Sequence, residues 1–167
     1  ADFGIASQLE ESIRKHGWTQ PTPVQEMCLP ITLKGKSLAG FAQTGTGKTA
    51  AFVIPLLHKF YTEENRQVLI LAPTRELAAQ IQSVVLDLNR DGKRVKTALI
   101  VGGASMGQQF ENIRKKPDIL VATPGRLMDH LKRKSLTLDR ISSLVLDEAD
   151  RMLDMGFIPD IEKIVAL

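Results

Sequence analysis

Five short apolar runs recur along this chain: Ser37 to Phe41, Val68 to Leu71, Ala98 to Val101, Ile119 to Val121 and Ser143 to Leu146. Brief, β-branched, continuous runs of this kind are what strands covered on both faces require. Between them lie stretches of helical spacing: Ala50 to Phe60, Glu76 to Leu88, Met106 to Lys115 and Gly125 to Lys132. Strand alternating with helix predicts an α/β fold, a doubly wound and mostly parallel sheet flanked by helices. Ligands of such sheets bind beyond the carboxyl ends of the strands. The chemically distinctive segments start where the runs stop, at Gln43, Pro73, Gly102, Thr123 and Asp147.

The segment Ala42-Gln43-Thr44-Gly45-Thr46-Gly47-Lys48-Thr49 lies between the first run and a helix. Gly45 and Gly47 permit positive φ or close approach of backbone N–H groups to phosphate oxygens. The helix starting near Lys48 or Thr49 turns its positive dipole end the same way. Lys48 adds a point charge for the β and γ phosphates, and Thr49 offers a hydroxyl to Mg²⁺. A strand before and a helix after separate this pattern from a Gly/Thr-rich turn with a chance lysine. Far downstream stands Asp147-Glu148-Ala149-Asp150. Alone, such an acidic run also suits a helix N-terminus. Joined to a phosphate loop it supplies carboxylates for a hard cation, with Asp147 meeting Mg²⁺ directly or through water. The two segments together read as a nucleoside-triphosphate site.

Two departures from the generic phosphate loop narrow the reading: Ala42 stands where Gly usually opens it, and Gly45 is an additional glycine inside it. With the box spelled Asp-Glu-Ala-Asp, the chain resembles the first RecA-like domain of DEAD-box RNA helicases, from about Phe3 to its last residue. Upstream, Gly17-Trp18-Thr19-Gln20-Pro21-Thr22-Pro23-Val24-Gln25 is similar to the Q motif of that family. A primary amide both donates and accepts, so Gln25 suits the N6 and N7 edge of adenine and would reject guanine, which points to ATP. The expected nucleotide contacts are Trp18, Gln20, Gln25, Gln43, Thr44, Gly45, Thr46, Gly47, Lys48, Thr49 and Ala50. The resemblance implies that Lys48, Asp147 and Glu148 carry the catalysis. It gives Glu148 the role of positioning and activating the attacking water, and it has Asp150 communicate with a later serine-threonine motif. Trp18 replaces the more usual Phe or Tyr, and the aromatic that the family places well before Gly17 falls ahead of Ala1.

The remaining motifs contain no nucleophile, acid or base in a catalytic arrangement; they look like RNA-backbone contacts. They are Pro73, Thr74 and Arg75 in Pro-Thr-Arg-Glu-Leu, Gly102 and Gly103 after a strand, and Thr123, Pro124, Gly125 and Arg126. Each offers small hydroxyls, N–H groups at a helix start, or an Arg for bidentate phosphate contact. Singly, each also reads as ordinary helix capping. Few aromatics interrupt these turns, so base stacking is not the expected mode and sequence-nonspecific binding follows. Met152, Leu153 and Phe157, beyond the acidic box, are expected in packing rather than in contacts.

At 167 residues and 43% apolar content, one domain with a sizeable core is expected. It is organised as a helical Q-motif region over residues 1–32, with Leu9 and Ile13 on one face, packed on a RecA-like core over 33–167. Cys28 is the sole cysteine, which excludes an internal disulfide and fits a reducing compartment. No apolar run is long enough to cross a bilayer and no charged-then-apolar leader opens the chain, so no membrane is expected and a cytoplasmic location is. A net charge of +3 fits a polyanionic partner but equally serves solubility. The basic runs Arg114-Lys115-Lys116 and Lys132-Arg133-Lys134 read as solvated helix ends. Nothing in the sequence indicates an oligomeric state.

The family resemblance further implies a strand carrying Ser-Ala-Thr and a second RecA-like domain, neither contained in these residues. The second domain brings arginine fingers, whose contribution to phosphoryl transfer reaches about 10³ to 10⁵ in rate. These residues alone are therefore expected to hydrolyse ATP poorly and to unwind nothing. The unfilled strand position is expected to leave an edge that favours association. A DNA-directed or transport ATPase would share the phosphate loop but not the Q motif together with the three turns. A non-catalytic RNA scaffold would have no need of Lys48 and the acids.

Overall fold

The computed structural model describes residues 3–62, 67–90 and 95–167. They form two compact units, one within Ala1–Glu64 and Ser83–Arg94, the other within Asn65–Gln82 and Val95–Leu167.

The first unit is helical. Helices α1 (Ser7–Lys15) and α2 (Pro23–Thr32) each pack on α3 (Lys48–Thr62). Its interior is built from the apolar face of α3, with Val53 and Leu57 fully buried, and from Leu9 of α1 and Leu29 of α2. Burying side chains of this size stabilises by roughly 1.5–3 kcal/mol each. A tie across the sequence joins the start of α1 to α3, where the Ala6 N–H donates to His58 Nδ1 at 3.1 Å. Between α2 and α3 the sequence-based expectation of a strand over Ser37 to Phe41 fails. The segment takes no regular secondary structure and pairs with no strand among the described residues, and Phe41 is fully exposed. An apolar run becomes a strand only when a neighbour satisfies its backbone N–H and C=O groups, and none does so here.

The second unit holds the sheet. Its strands are β1 (Gln67–Leu71), β2 (Thr97–Ile100), β3 (Ile119–Ala122) and β4 (Ile141–Leu146), ordered β2-β3-β1-β4 and all parallel. Between and after them run α4 (Arg75–Leu88), α5 (Met106–Arg114), α6 (Pro124–Lys132), α7 (Ala149–Asp154) and α8 (Ile158–Val165), with the later part of α4 belonging to the first unit. β1 and β3 are central and buried along their whole length. β4 departs from the buried strand expected: among the described residues it pairs only with β1, and Leu144 and Leu146 are 37% and 36% exposed. One core joins Leu69, Leu71, Ile100 and Leu120 of the sheet to Leu127 of α6, Met152 of α7 and Ile164 of α8. Phe157 packs against that core as expected, whereas Leu153 is half exposed and does not.

The register aligns the strand ends. Leu71 is paired with Ala122 and with Leu146, and Ile100 with Ala122. One more bond beyond each ladder carries the alignment onward: Ala72 N–H to Ala122 O at 3.0 Å, Thr123 N–H to Ile100 O at 3.0 Å and Asp147 N–H to Leu71 O at 2.9 Å. Pro73, Gly102, Thr123 and Asp147 therefore emerge side by side along one sheet edge, as doubly wound sheets require.

Candidate functional site

In the first unit the phosphate loop ends in α3, which begins at Lys48, so the first N–H groups of that helix have no intrahelical acceptor. Gly45 and Gly47 adopt φ of +81° and +86°, conformations that favour glycine. Within the loop, Thr46 Oγ1 donates to Gln43 O at 2.7 Å, closing a turn. Gln43, Thr44 and Gly45 are exposed, Lys48 and Thr49 half-buried, and Ala50 buried.

The Q-motif segment lies against this loop. Gln25, only 8% exposed, accepts the Thr22 N–H on Oε1 at 3.0 Å and donates from Nε2 to Gly47 O at 3.1 Å. Each amide atom retains one further bonding position, a donor on Nε2 and a lone pair on Oε1. A Cβ on Gly47 would lie 2.6 Å from Gln25 Nε2 and 2.8 Å from Thr22 Oγ1, so the loop is cradled by the very segment expected to read the base. Thr22 Oγ1 is buried without a hydrogen-bond partner beside that loop. Trp18 is half-buried, edge-on to His16 with ring centroids 4.5 Å apart, and Gln20 is exposed. Cys28 is half-buried, and burial pushes its thiol above the ordinary value.

In the second unit the acidic box follows β4. Asp147 is 4% exposed. Glu148 takes left-handed backbone angles, φ 51° and ψ 50°, ahead of α7, a conformation that costs a non-glycine residue about 1–3 kcal/mol and that clusters at functional sites. Its carboxylate meets Arg151 Nη1 at 3.3 Å, and Asp150 is exposed in the first turn of α7.

The three turns expected to meet RNA converge in the same unit. Pro73, Arg75, Gly102, Thr123, Gly125 and Arg126 line one open groove of about 350 Å³, completed by Asp129 and Phe157. Two side chains knit the turns together. Arg126 Nη1 donates to Ala104 O at 3.1 Å, and the Arg75 guanidinium sits so close to Gly103 that a Cβ there would lie 2.3 Å from Nη1. Thr74 proves to be a cap, its Oγ1 accepting the Leu77 N–H at 3.2 Å, whereas Thr123 makes no such bond and Pro124 opens α6. Arg75 also pairs with Glu76 at 3.1 Å. The Glu76 carboxyl titrates below its ordinary range, first through a bond from its own backbone N–H and next through Arg75.

Sequence reasoning missed two residues of this unit, Gln109 and His130, both buried. Each is a polar residue on an otherwise amphipathic helix, a pattern that single-sequence reading assigns to solvent.

The family pattern described as DEAD/DEAH box helicase matches residues 22–167. The chain belongs to the DEAD/DEAH box helicase family. It is 47% identical over 166 residues to the ATP-dependent RNA helicase CshA of Listeria monocytogenes, covering 99% of this chain and 32% of that protein. It is 46% identical to the ATP-dependent RNA helicase DeaD of Escherichia coli, covering 99% of this chain and 27% of that protein. The chain thus spans between a quarter and a third of the length of these curated relatives. Among solved structures it superimposes with a TM-score of 0.90 on a DEAD box protein of Methanococcus jannaschii, at 39% identity over 97% of this chain and 44% of that one. A hypothetical ATP-dependent RNA helicase of Sulfolobus tokodaii gives the same TM-score at 38% identity, over 97% of this chain and 47% of that one. The fold is therefore RecA-like, and the parallel sheet flanked by helices is the DEAD-box helicase sheet.

The donors present fit a magnesium-bound triphosphate. The loop offers backbone N–H groups, the Lys48 ammonium and the Thr49 hydroxyl, the groups a magnesium-bound polyphosphate takes. Among the described residues no cluster of three His, Cys, Asp or Glu side chains could cage a metal.

Proposed function

We propose that this chain is the ATP-binding and RNA-backbone-binding domain of an ATP-dependent RNA helicase. The observation that carries the reading is that Gln25, held within the Q-motif segment by the Thr22 N–H, donates to Gly47 O and keeps one donor and one acceptor for a base edge. An adenine amino group and N7 match that remaining pair; guanine, with an acceptor at the amino position, does not.

In this reading the Gly45–Gly47 backbone and Lys48 bind the phosphates, Thr49 and Asp147 hold Mg²⁺ partly through water, and Glu148 orients the attacking water. Trp18, Gln20, Gln43, Thr44, Thr46 and Ala50 complete the nucleotide contacts. Bound Mg²⁺-ATP supplies an electrophilic phosphorus whose leaving group the cation neutralises. Asp150, exposed at the start of α7, suits a link to a later segment. The groove beyond β1, β2 and β3 takes the sugar-phosphate backbone of a single strand, with Arg75 and Arg126 as its cations and the Gly102–Gly103 turn allowing close approach. Residues 1–32 form the Q-motif region and 33–167 the RecA-like core. Hydrolysis and unwinding depend on a second RecA-like domain, the location is cytoplasmic, and the domain by itself is nearly inactive.

Calorimetric titration with Mg²⁺-ADP and, separately, Mg²⁺-GDP tests the nucleotide half. Binding of ADP with little GDP binding is expected. Equal binding would remove the adenine role of Gln25, and binding of neither would remove the nucleotide reading for this chain.

A further inference from the structure

We propose that Gln109 and His130 are positioning residues of the RNA groove, holding the Gly102–Gly103 turn in its binding shape from beneath; the inference rests on the reading of that groove as the RNA site. The turn has no side chains of its own at its two glycines, and Gly103 sits at φ +76°. Its conformation must therefore be imposed by neighbours.

A chain of buried hydrogen bonds does this. Val101, the residue before the turn, has its carbonyl bonded by Gln109 Nε2 at 2.8 Å. Because the amide nitrogen faces that carbonyl, Oε1 points the other way, and His130 Nε2 meets it at 2.9 Å. An amide oxygen can only accept, so the imidazole carries its proton on Nε2. Nδ1 is then left as an acceptor facing Ser135 Oγ at 2.9 Å, a hydroxyl whose one proton is also within reach of the His130 carbonyl at 3.0 Å. Gln109 is 2% exposed and His130 fully buried, so losing either partner would leave a buried polar group unsatisfied, and Phe110 packs edge-on to the imidazole at 5.3 Å.

The other side of the turn is gripped from the same helix. Arg126, one turn before His130 on α6, donates to Ala104 O. α6 thus holds residue 104 directly and residue 101 through Gln109, with the two glycines suspended between. Its first turn also supplies Gly125 and Arg126 to the groove, so one rigid element sets both walls. Preorganising a binding surface in this way raises affinity by removing the cost of ordering it on binding.

Two substitutions and one spectrum test this. Gln109→Glu keeps the size of the side chain and an acceptor for His130 but lacks the N–H for Val101; Gln109→Met keeps the bulk and neither bond. Affinity for a fluorescein-labelled single-stranded oligouridylate is read by anisotropy, with Mg²⁺-ADP affinity and melting midpoint measured alongside. Expected is a loss of RNA affinity of about tenfold in both variants, ADP affinity within about twofold of wild type, and faster amide hydrogen exchange at Gly102 to Ala104. Unchanged RNA affinity in the variants, or RNA and ADP affinity falling together with the melting midpoint, would overturn the positioning role and leave the groove reading standing. A wild-type chain that binds Mg²⁺-ADP but no RNA would overturn the groove reading and this inference with it. The ¹⁵N spectrum of the wild-type imidazole needs no variant: a proton on Nδ1 rather than Nε2 would break the proposed chain of bonds.

Discussion

Gln25 and Gly47 are joined by a 3.1 Å hydrogen bond from side-chain amide to backbone carbonyl, and a Cβ on Gly47 would force both Gln25 Nε2 and the Thr22 side chain to shift. A residue expected to sense the base thereby holds the peptide expected to sense the phosphates. Loss of either partner leaves a buried polar group unsatisfied, at about 1–3 kcal/mol.

Gly47→Ala is expected to eliminate measurable Mg²⁺-ADP binding. The φ of +86° strains an L-residue by about 1–3 kcal/mol, and the new methyl displaces Gln25 and Thr22 from the loop. Calorimetry reads the first effect and thermal melting the second; a variant that binds ADP like wild type would remove the packing argument.

Gly103→Ala and Gly102→Ala separate strain from space. At Gly103 the backbone is left-handed and the added methyl meets the far end of Arg75, a flexible side chain, so the fold is expected to survive with a loss of about 1 kcal/mol. RNA affinity is expected to fall as Arg75 is pushed aside. At Gly102 nothing lies within 4 Å of the new Cβ and φ is not positive, so melting should move little. Equal melting midpoints and equal RNA affinities for the two variants would contradict this.

Glu148→Gln keeps the size of the side chain and the backbone of the left-handed residue while removing the negative charge. In a protein that joins this domain to a second RecA-like domain, Mg²⁺-ATP binding is expected to persist and steady-state hydrolysis to be lost. Unaltered hydrolysis would take the water-orienting role from Glu148.

Burial pushes the His130 imidazole below its ordinary value of 6.5, Arg126 and Arg133 add to the effect, and Asp129 opposes it. The unfolded chain takes up a proton near pH 6.5 that the folded chain refuses. Stability from this group is therefore constant above that pH and falls as pH drops from about 6.5 toward the folded value. His130→Leu is expected to be less stable than wild type at neutral pH yet to lose that acid-side slope, read as melting midpoints between roughly pH 5 and 7.5. A slope identical to wild type would assign the acid sensitivity to other groups.

Much of the fold was legible in one dimension. The runs at Val68, Ala98, Ile119 and Ser143 became β1 to β4, and the stretches from Ala50, Glu76, Met106 and Gly125 became α3 to α6, with bounds shifted by a residue or two. The turns at Pro73, Gly102 and Thr123 were placed by the same means, because Gly, Pro and the end of an apolar run are local signals.

What the sequence determined by itself was thus periodicity, punctuation and motif: which segments are apolar on two faces, where they stop, and which groups wait at the stops. The tertiary structure alone decided which of those segments found partners. Among the described residues Ser37 to Phe41 has the pattern of a strand and no ladder, and β4 lies at an edge with Leu144 and Leu146 half in water, because strand pairing is a bond to residues distant in the chain. The same holds for Gln25, Gln109 and His130. A polar side chain carries no mark of whether it will face solvent or satisfy a carbonyl many residues away; that depends on which backbone groups the fold buries beside it.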